Sequence, residues 1–287
     1  MLIETLFVKA QHLLPQHALS RLMGRLTHCR NRPFKNLFIR SIIRAYDVNI
    51  HEAAEPDIEA YGCFNEFFTR PLRPGARPIA SGEGTLTSPA DGCISQAGPV
   101  KQGQIIQAKG RDYSVSELLG GEASSPVSFD GGRFATIYLS PRDYHRLHMP
   151  LTGTLREMVH IPGQLFSVND ATVRGIPKLF ARNERVVALF DTEAGPMALV
   201  LVGAIFVASI ETVWHGVVTP PSSSTIQRWY YAPGEVRLER GTELGRFNMG
   251  STIIVLFGKD AVEWIPELAP GRPMRMGETM GTLRLRR

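Results

Sequence analysis

Gly250-Ser251-Thr252 is a stretch whose residue types and order could do chemistry on the chain itself. Glycine leaves its carbonyl unshielded and tolerates unusual backbone angles. The Ser251 hydroxyl, one residue on, could attack that carbonyl in an N-to-O acyl shift, by which a backbone cuts itself. Standing alone, the tripeptide reads as an ordinary turn before a strand, so its context must decide. His145 and His148 are three residues apart, a spacing that puts both on one side of a helix. As a metal pair they lack a third ligand cluster; as a structural pair they need no chemistry. Asp91-Gly92 reads as a tight turn whose carboxylate bonds its own backbone.

The elements that must position these groups follow from pattern. Ile253-Ile254-Val255-Leu256-Phe257 is an unbroken apolar run, the signature of a strand buried on both faces. Phe134–Leu139 reads as another strand, ending at Ser140-Pro141-Arg142-Asp143. A Ser cap, a Pro in the first turn and an acid three residues on predict a short helix carrying Tyr144 to His148. Further strands are expected at Val186–Phe190, Ala198–Ala208 and Ile210–Trp214. A loop is expected over His160–Asn169, then a basic helix-like stretch through Arg174, Lys178 and Arg185. Pro220-Pro221 and Ser222-Ser223-Ser224 mark a surface loop, and Pro71 to Ile79 reads as a surface connection after an aromatic cluster. The 27 glycines and 20 prolines suit a turn-rich β protein.

Residues 1–50 differ from the rest. Eight basic residues against two acids give this leader +6, whereas the remainder carries −1. Helical spacing puts Ile3, Leu6, Phe7, Ala10 and Leu13 or Leu14 on one face. Leu19, Leu22, Met23 and Leu26 form a second face opposite Arg21 and Arg25. Ile39, Ile42, Ile43 and Tyr46 form a third, with Lys35, Arg40 and Arg44 on the wet side. Such helices can cap a core or dip into an anionic membrane surface, and different helices can do each. A nucleic-acid footprint would spread over a folded face instead. The longest apolar run, Met197 to Ile210, has 14 residues and is too short to span a bilayer. Glu4 and the lack of a basic start argue against a secretory signal. Cys29, Cys63 and Cys93 are widely spaced, against a disulfide framework and for a reducing compartment.

Several motifs in order carry a resemblance. They are Phe64-Asn65-Glu66-Phe67-Phe68-Thr69-Arg70 with Arg77-Pro78-Ile79, then Pro89-Ala90-Asp91-Gly92 and Asp143-Tyr144-His145-Arg146-Leu147-His148-Met149-Pro150. Pro162-Gly163-Gln164-Leu165-Phe166-Ser167-Val168-Asn169 and Gly250-Ser251-Thr252 complete the set. The chain resembles the phosphatidylserine decarboxylases of bacterial and mitochondrial type, pyruvoyl-dependent enzymes of phospholipid synthesis that work at a membrane surface. The likeness covers roughly 65–257 and extends to the helical leader. One departure is Met249, where the family usually has Leu, a near-isosteric change.

The resemblance implies a lyase made as a zymogen. Asp91, His148 and Ser251 match the family's self-processing triad, Gly250-Ser251 its cleavage point, and His145 the histidine implicated in decarboxylation. His148 would take the Ser251 proton while Asp91 orients the imidazole. The ester formed at Gly250 would be eliminated, leaving a pyruvoyl group derived from Ser251, with no metal. That group would form a Schiff base with phosphatidylserine and act as the electron sink for loss of carbon dioxide. The expected fold is α+β: a helical membrane-associating segment over 1–56 and a β-rich catalytic body over 57–287. Cleavage would leave a 1–250 chain and a 251–287 chain as a heterodimer, further dimerised. The expected site of action is the cytoplasmic face of the cell membrane, as a peripheral protein on anionic lipid, without nucleic acid. A serine hydrolase using the same three residues would lack a G-x-S-x-G elbow. A carrier module, suggested by a hairpin-like Val236–Val255, would need a modifiable Lys or phospho-His at its tip.

Overall fold

The strand Thr252–Phe257 has all six residues buried and lies between Gly195–Val202 and Arg133–Tyr138. In this computed structural model, described for residues 2–121, 128–206, 209–220 and 224–284, it is a central strand of the largest antiparallel sheet. Among the described residues that sheet has nine strands. They run Gln227–Tyr230, Gly153–Ile161, Arg185–Thr192, Gly195–Val202, Thr252–Phe257, Arg133–Tyr138, Gly92–Pro99 and Pro273–Met274, and Arg237–Leu238 also pairs with Gly153–Ile161. Neighbours on both edges and packing on both faces leave no position along Ile253–Phe257 for a polar residue, which explains the apolar run.

A second sheet of four strands holds Glu243–Asn248 between Ser209–Thr212 and Arg146–His148. Arg237–Leu238 and Glu243–Asn248 therefore belong to different sheets, and Val236–Val255 is not a hairpin. The strand that starts at Gly195 ends at Val202, short of the expected extent, and Ala208 lies outside the described residues. So do Pro221, Ser222, Ser223 and the side chain of Ile3.

The leader forms helices α1 (Leu2–Gln11), α2 (Gln16–Thr27) and α3 (Arg32–Tyr46). The third behaves as a cap. Ile39 is fully buried with Val48, Tyr61, Phe64, Phe67 and Phe68, the last three belonging to the short helix α4 (Phe64–Phe68). Lys35, expected on the wet side, is buried, and its ammonium donates to the carbonyls of Ile58, Glu59 and Tyr61. A long apolar stem with three donors at its tip lets lysine tie α3 to the loop beneath.

Helices α1 and α2 are docked the other way round. Their buried residues are polar: Gln11, Gln16, Ser20 and Thr27. The side-chain oxygens of Gln11 and Gln16 accept from the amides of Ser167 and Leu165, and Ser20 Oγ accepts from the Phe206 amide. Leu6, Phe7, Leu13, Leu14, Leu22 and Leu26 remain exposed, Leu13 to 87%. Lys9, Arg21, Arg25, Arg32 and Arg44 are exposed as well. An apolar face turned outward while polar groups hold the helix down is the reverse of ordinary packing. No helix among the described residues is long and apolar enough to cross a membrane.

Candidate active site

Gly250-Ser251 sits at a corner where the chain leaves the four-stranded sheet and enters the nine-stranded one. Met249 makes the turn with φ 83°, in the left-handed region that costs a non-glycine residue about 1–3 kcal/mol. Both sides of the corner are braced. Before it, Asn248 donates to Ser209 Oγ at 2.6 Å and accepts from Asn65 at 3.0 Å. After it, the Ser251 carbonyl accepts from the Leu139 amide at 2.7 Å. Ser251 itself is buried, and its hydroxyl has no hydrogen-bond partner. A buried hydroxyl without a partner is costly to keep, and here it lies next to the carbonyl it could attack.

The imidazole at this corner belongs to His145. A Cβ placed on Gly250 would lie 2.3 Å from His145 Nε2, so only glycine lets the two approach. The His145 ring is wholly buried, tilted over Phe68 at 4.0 Å between centroids, and neither ring nitrogen has a partner. Burial, and then the nearby Arg70 guanidinium, push its pKa down to about 3, so the ring is neutral at ordinary pH.

His148 faces elsewhere. A turn over residues 140–143 leads through Tyr144 and His145 into the short strand Arg146–His148, not the expected helix. Asp143 accepts from both the amide and the hydroxyl of Ser140, closing a turn. Pairing of Arg146–His148 with Glu243–Arg246 then draws the chain straight. The two histidines therefore do not share a helix face: His145 is fully buried and His148 half-buried. His148 Nδ1 lies 2.8 Å from the Gly241 carbonyl and so carries the proton; Nε2 accepts from the Tyr144 hydroxyl at 3.1 Å. Burial lowers the His148 pKa and raises that of Tyr144 to about 12.

Nor does Asp91 bond His148, as the triad logic expects. Its carboxylate takes a bidentate grip from Arg77, at 2.8 and 2.6 Å, and the Met276 amide at 2.8 Å. Asp91 acts on His148 through space, as one of the charges favouring its protonated form. Arg77 also bonds Glu52 at 2.8 Å. The stretch from Pro71 to Ile79 is thus more than a surface connection: it inserts a buried guanidinium beside Asp91. Arg77, Tyr144 and Phe68 are the neighbours that sequence reasoning gave no role. An arginine among prolines, a tyrosine four residues before His148 and the aromatic cluster ending at Phe68 were the available signals.

The corner opens into a cavity of about 560 Å³. Ser251, Gly250 and Met249 form part of its wall, with Phe7, Leu14 and Met23 from α1, the loop after it and α2, and Phe38 and Ile42 from α3. The wall is mostly apolar and includes the exposed Phe7, Leu14 and Tyr46 of the leader. An unpartnered hydroxyl beside an open glycine carbonyl fits a prosthetic group made from Ser251 in place. Among the described residues no three His, Cys, Asp or Glu side chains are grouped to hold a metal ion.

Comparison with known proteins agrees along the whole chain. The family model described as phosphatidylserine decarboxylase matches residues 64–282, and one described as PSD matches 6–47. The chain is 58% identical over 280 residues to the phosphatidylserine decarboxylase proenzyme of Pseudomonas fluorescens, covering 97% of each chain. It is 57% identical over 277 residues to that of Pseudomonas entomophila, covering 96% of each. With that of Azotobacter vinelandii it shares 56% identity over 281 residues, 97% of this chain and 98% of the relative. From leader to last sheet, the chain belongs to the phosphatidylserine decarboxylase family.

Proposed function

We propose that this chain is a proenzyme that cuts itself between Gly250 and Ser251 and then decarboxylates phosphatidylserine to phosphatidylethanolamine. The observation that carries the reading is the buried, unbonded Ser251 hydroxyl beside Gly250, at the wall of an apolar cavity roofed by outward-facing apolar helices. Ser251 is the nucleophile of cleavage. His148 is its base, and must give up the Tyr144 hydroxyl to free Nε2 for the serine proton; Asp91, held by Arg77, stabilises the resulting imidazolium. A pyruvoyl group at the new N-terminus of residue 251 supplies the electron-withdrawing carbonyl that the twenty side chains lack. His145, neutral and packed against the corner, moves the proton that replaces carbon dioxide on the substrate carbon.

Phosphatidylserine keeps its acyl chains in the bilayer, so the enzyme must meet it there. Helices α1 and α2, as part of a membrane-associating segment over 1–56, lay their exposed leucines into the interface. Their free basic residues meet anionic headgroups, each contributing roughly 1 kcal/mol near the surface. The 1–250 and 251–287 pieces stay together within a catalytic body over 57–287, and two such units associate. The protein is peripheral, on the cytoplasmic face. The test is carbon dioxide release from carboxyl-labelled phosphatidylserine in anionic vesicles. Wild-type protein releases label and Ser251→Ala does not; equal release by both sinks the reading.

A further inference from the structure

A second cavity, of about 860 Å³, shares part of its wall with the first. Tyr138 and Val168 line both cavities, so the two spaces share a wall at these residues. Tyr138 is the register partner of Thr252, and its neighbour Leu139 holds the Ser251 carbonyl. The partition thus lies directly against the reactive corner.

The two spaces differ in chemistry. The first is walled by aromatic and aliphatic side chains. The second mixes apolar residues such as Ile94, Val168 and Val173 with a polar set absent from the first: Ser95, Gln96 and Asn169, Lys109 and Arg174, and the carboxylates of Glu4 and Asp170. Arg174 pairs with Glu4 at 3.2 Å. Two cations balanced by two acids do not make an anion receptor; they give this cavity a polar strip that water wets. Lys109, Asp170, Pro270 and Gly271 are exposed, so this cavity faces solvent.

The proposed reaction needs such a route, and the inference rests on that reading. Maturation takes up one water and releases one ammonia per chain. Each turnover takes a proton and releases carbon dioxide; joining the substrate amine to a carbonyl expels one water, and freeing the product takes one back. Once the leader lies on a bilayer, the apolar mouth opens into hydrocarbon, which polar species cross at high cost. We propose that the second cavity is the aqueous door of the active site. Lipid enters by the apolar mouth; water, protons, ammonia and carbon dioxide pass by Tyr138 and Val168.

Cys93, half-buried in the wall of the second cavity, allows the door to be plugged. Mature Cys29→Ser protein, with Cys93 free or modified by a bulky maleimide, is transferred into water labelled with heavy oxygen. Label entering the 251–287 piece is followed by mass, with and without phosphatidylglycerol vesicles, since a ketone exchanges its oxygen with any water that reaches it. On vesicles the modification should slow uptake roughly tenfold or more. Off vesicles, where water also enters by the apolar mouth, uptake should change little. Asp170→Trp, which narrows the exposed entrance without touching the core, should act in the same sense. Unchanged uptake on vesicles in both the fully modified protein and Asp170→Trp overturns the door. Equal slowing with and without vesicles overturns the division between a lipid mouth and a water mouth. Absence of uptake in the unmodified protein off vesicles means there is no ketone, and removes the underlying reading along with the door.

Discussion

Replacing Gly250 with alanine tests the packing at the corner. The added methyl would lie 2.3 Å from His145 Nε2 and 2.8 Å from Cδ2, about 1 Å inside ordinary contact. His145 cannot step aside, because it is fully buried and backed by Phe68 at 4.0 Å. Gly250 has no left-handed φ, so the cost comes from overlap and not from backbone strain. Overpacking of this kind costs roughly 1–3 kcal/mol, or about five- to 150-fold in the population of the cleavable geometry. A displacement of about 1 Å at the reacting atoms can itself cost roughly a hundredfold. Gly250→Ala should therefore fold but form fragments at least tenfold more slowly, as followed on a denaturing gel after expression is stopped. Gly250→Ala combined with His145→Ala removes the overlap and should recover most of the cleavage. Wild-type cleavage in Gly250→Ala refutes the packing argument. So does a double variant that stays intact while His145→Ala alone is cut, because the loss would then not come from the ring.

Other consequences follow from the same geometry. After cleavage the two pieces should elute together without denaturant and separate only in urea. Burial of Ile253 to Phe257 in the sheet centre contributes on the order of 10 kcal/mol, an upper figure; a free 251–287 piece in native buffer would contradict this. His148→Ala and Asp91→Ala should accumulate uncut chain, whereas His145→Ala should be cut yet release carbon dioxide about 10²–10⁴-fold more slowly; an inverted pattern would exchange the two histidines' roles. His145 titrates near 6.5 when unfolded and is held to about 3 when folded, so acid favours the unfolded chain. In the uncut Ser251→Ala chain, stability should be full above pH 6.5 and fall by about 1.4 kcal/mol per unit as pH drops from there toward 3. Adding His145→Asn should flatten that slope in urea titrations; an unchanged slope assigns it to other groups.

Particular residues show what the sequence could and could not reveal. The strand Thr252–Phe257 was legible because burial on both faces needs only an apolar run. The leader helices were legible from their period, but not the side on which they dock. Gln11, Gln16 and Ser20 bind backbone amides at 165, 167 and 206, partners that carry no side-chain signature. Lys35 looked wet on a helical wheel, and only the carbonyls of residues 58, 59 and 61, brought up by the chain's return, hold it buried. The helix expected over Tyr144–His148 failed because a Ser followed three residues on by an acid also closes a turn. Pairing with Glu243–Arg246, almost a hundred residues away, decided the outcome. Motif order named Asp91, His145, His148 and Ser251 together, yet it could not show which imidazole touches Gly250. That depends on sterics at a corner between two sheets, where long-range register sets the distance.

The most direct measurement is the intact mass of the purified active protein, before and after reaction with a hydroxylamine reagent. Two species are expected, residues 1–250 and residues 251–287. The smaller should be lighter by one ammonia than a fragment beginning with serine, and it alone should gain one oxime. A single species with the mass of all 287 residues, in a preparation that releases carbon dioxide from phosphatidylserine, would contradict cleavage at Gly250-Ser251 and the chemistry built on it.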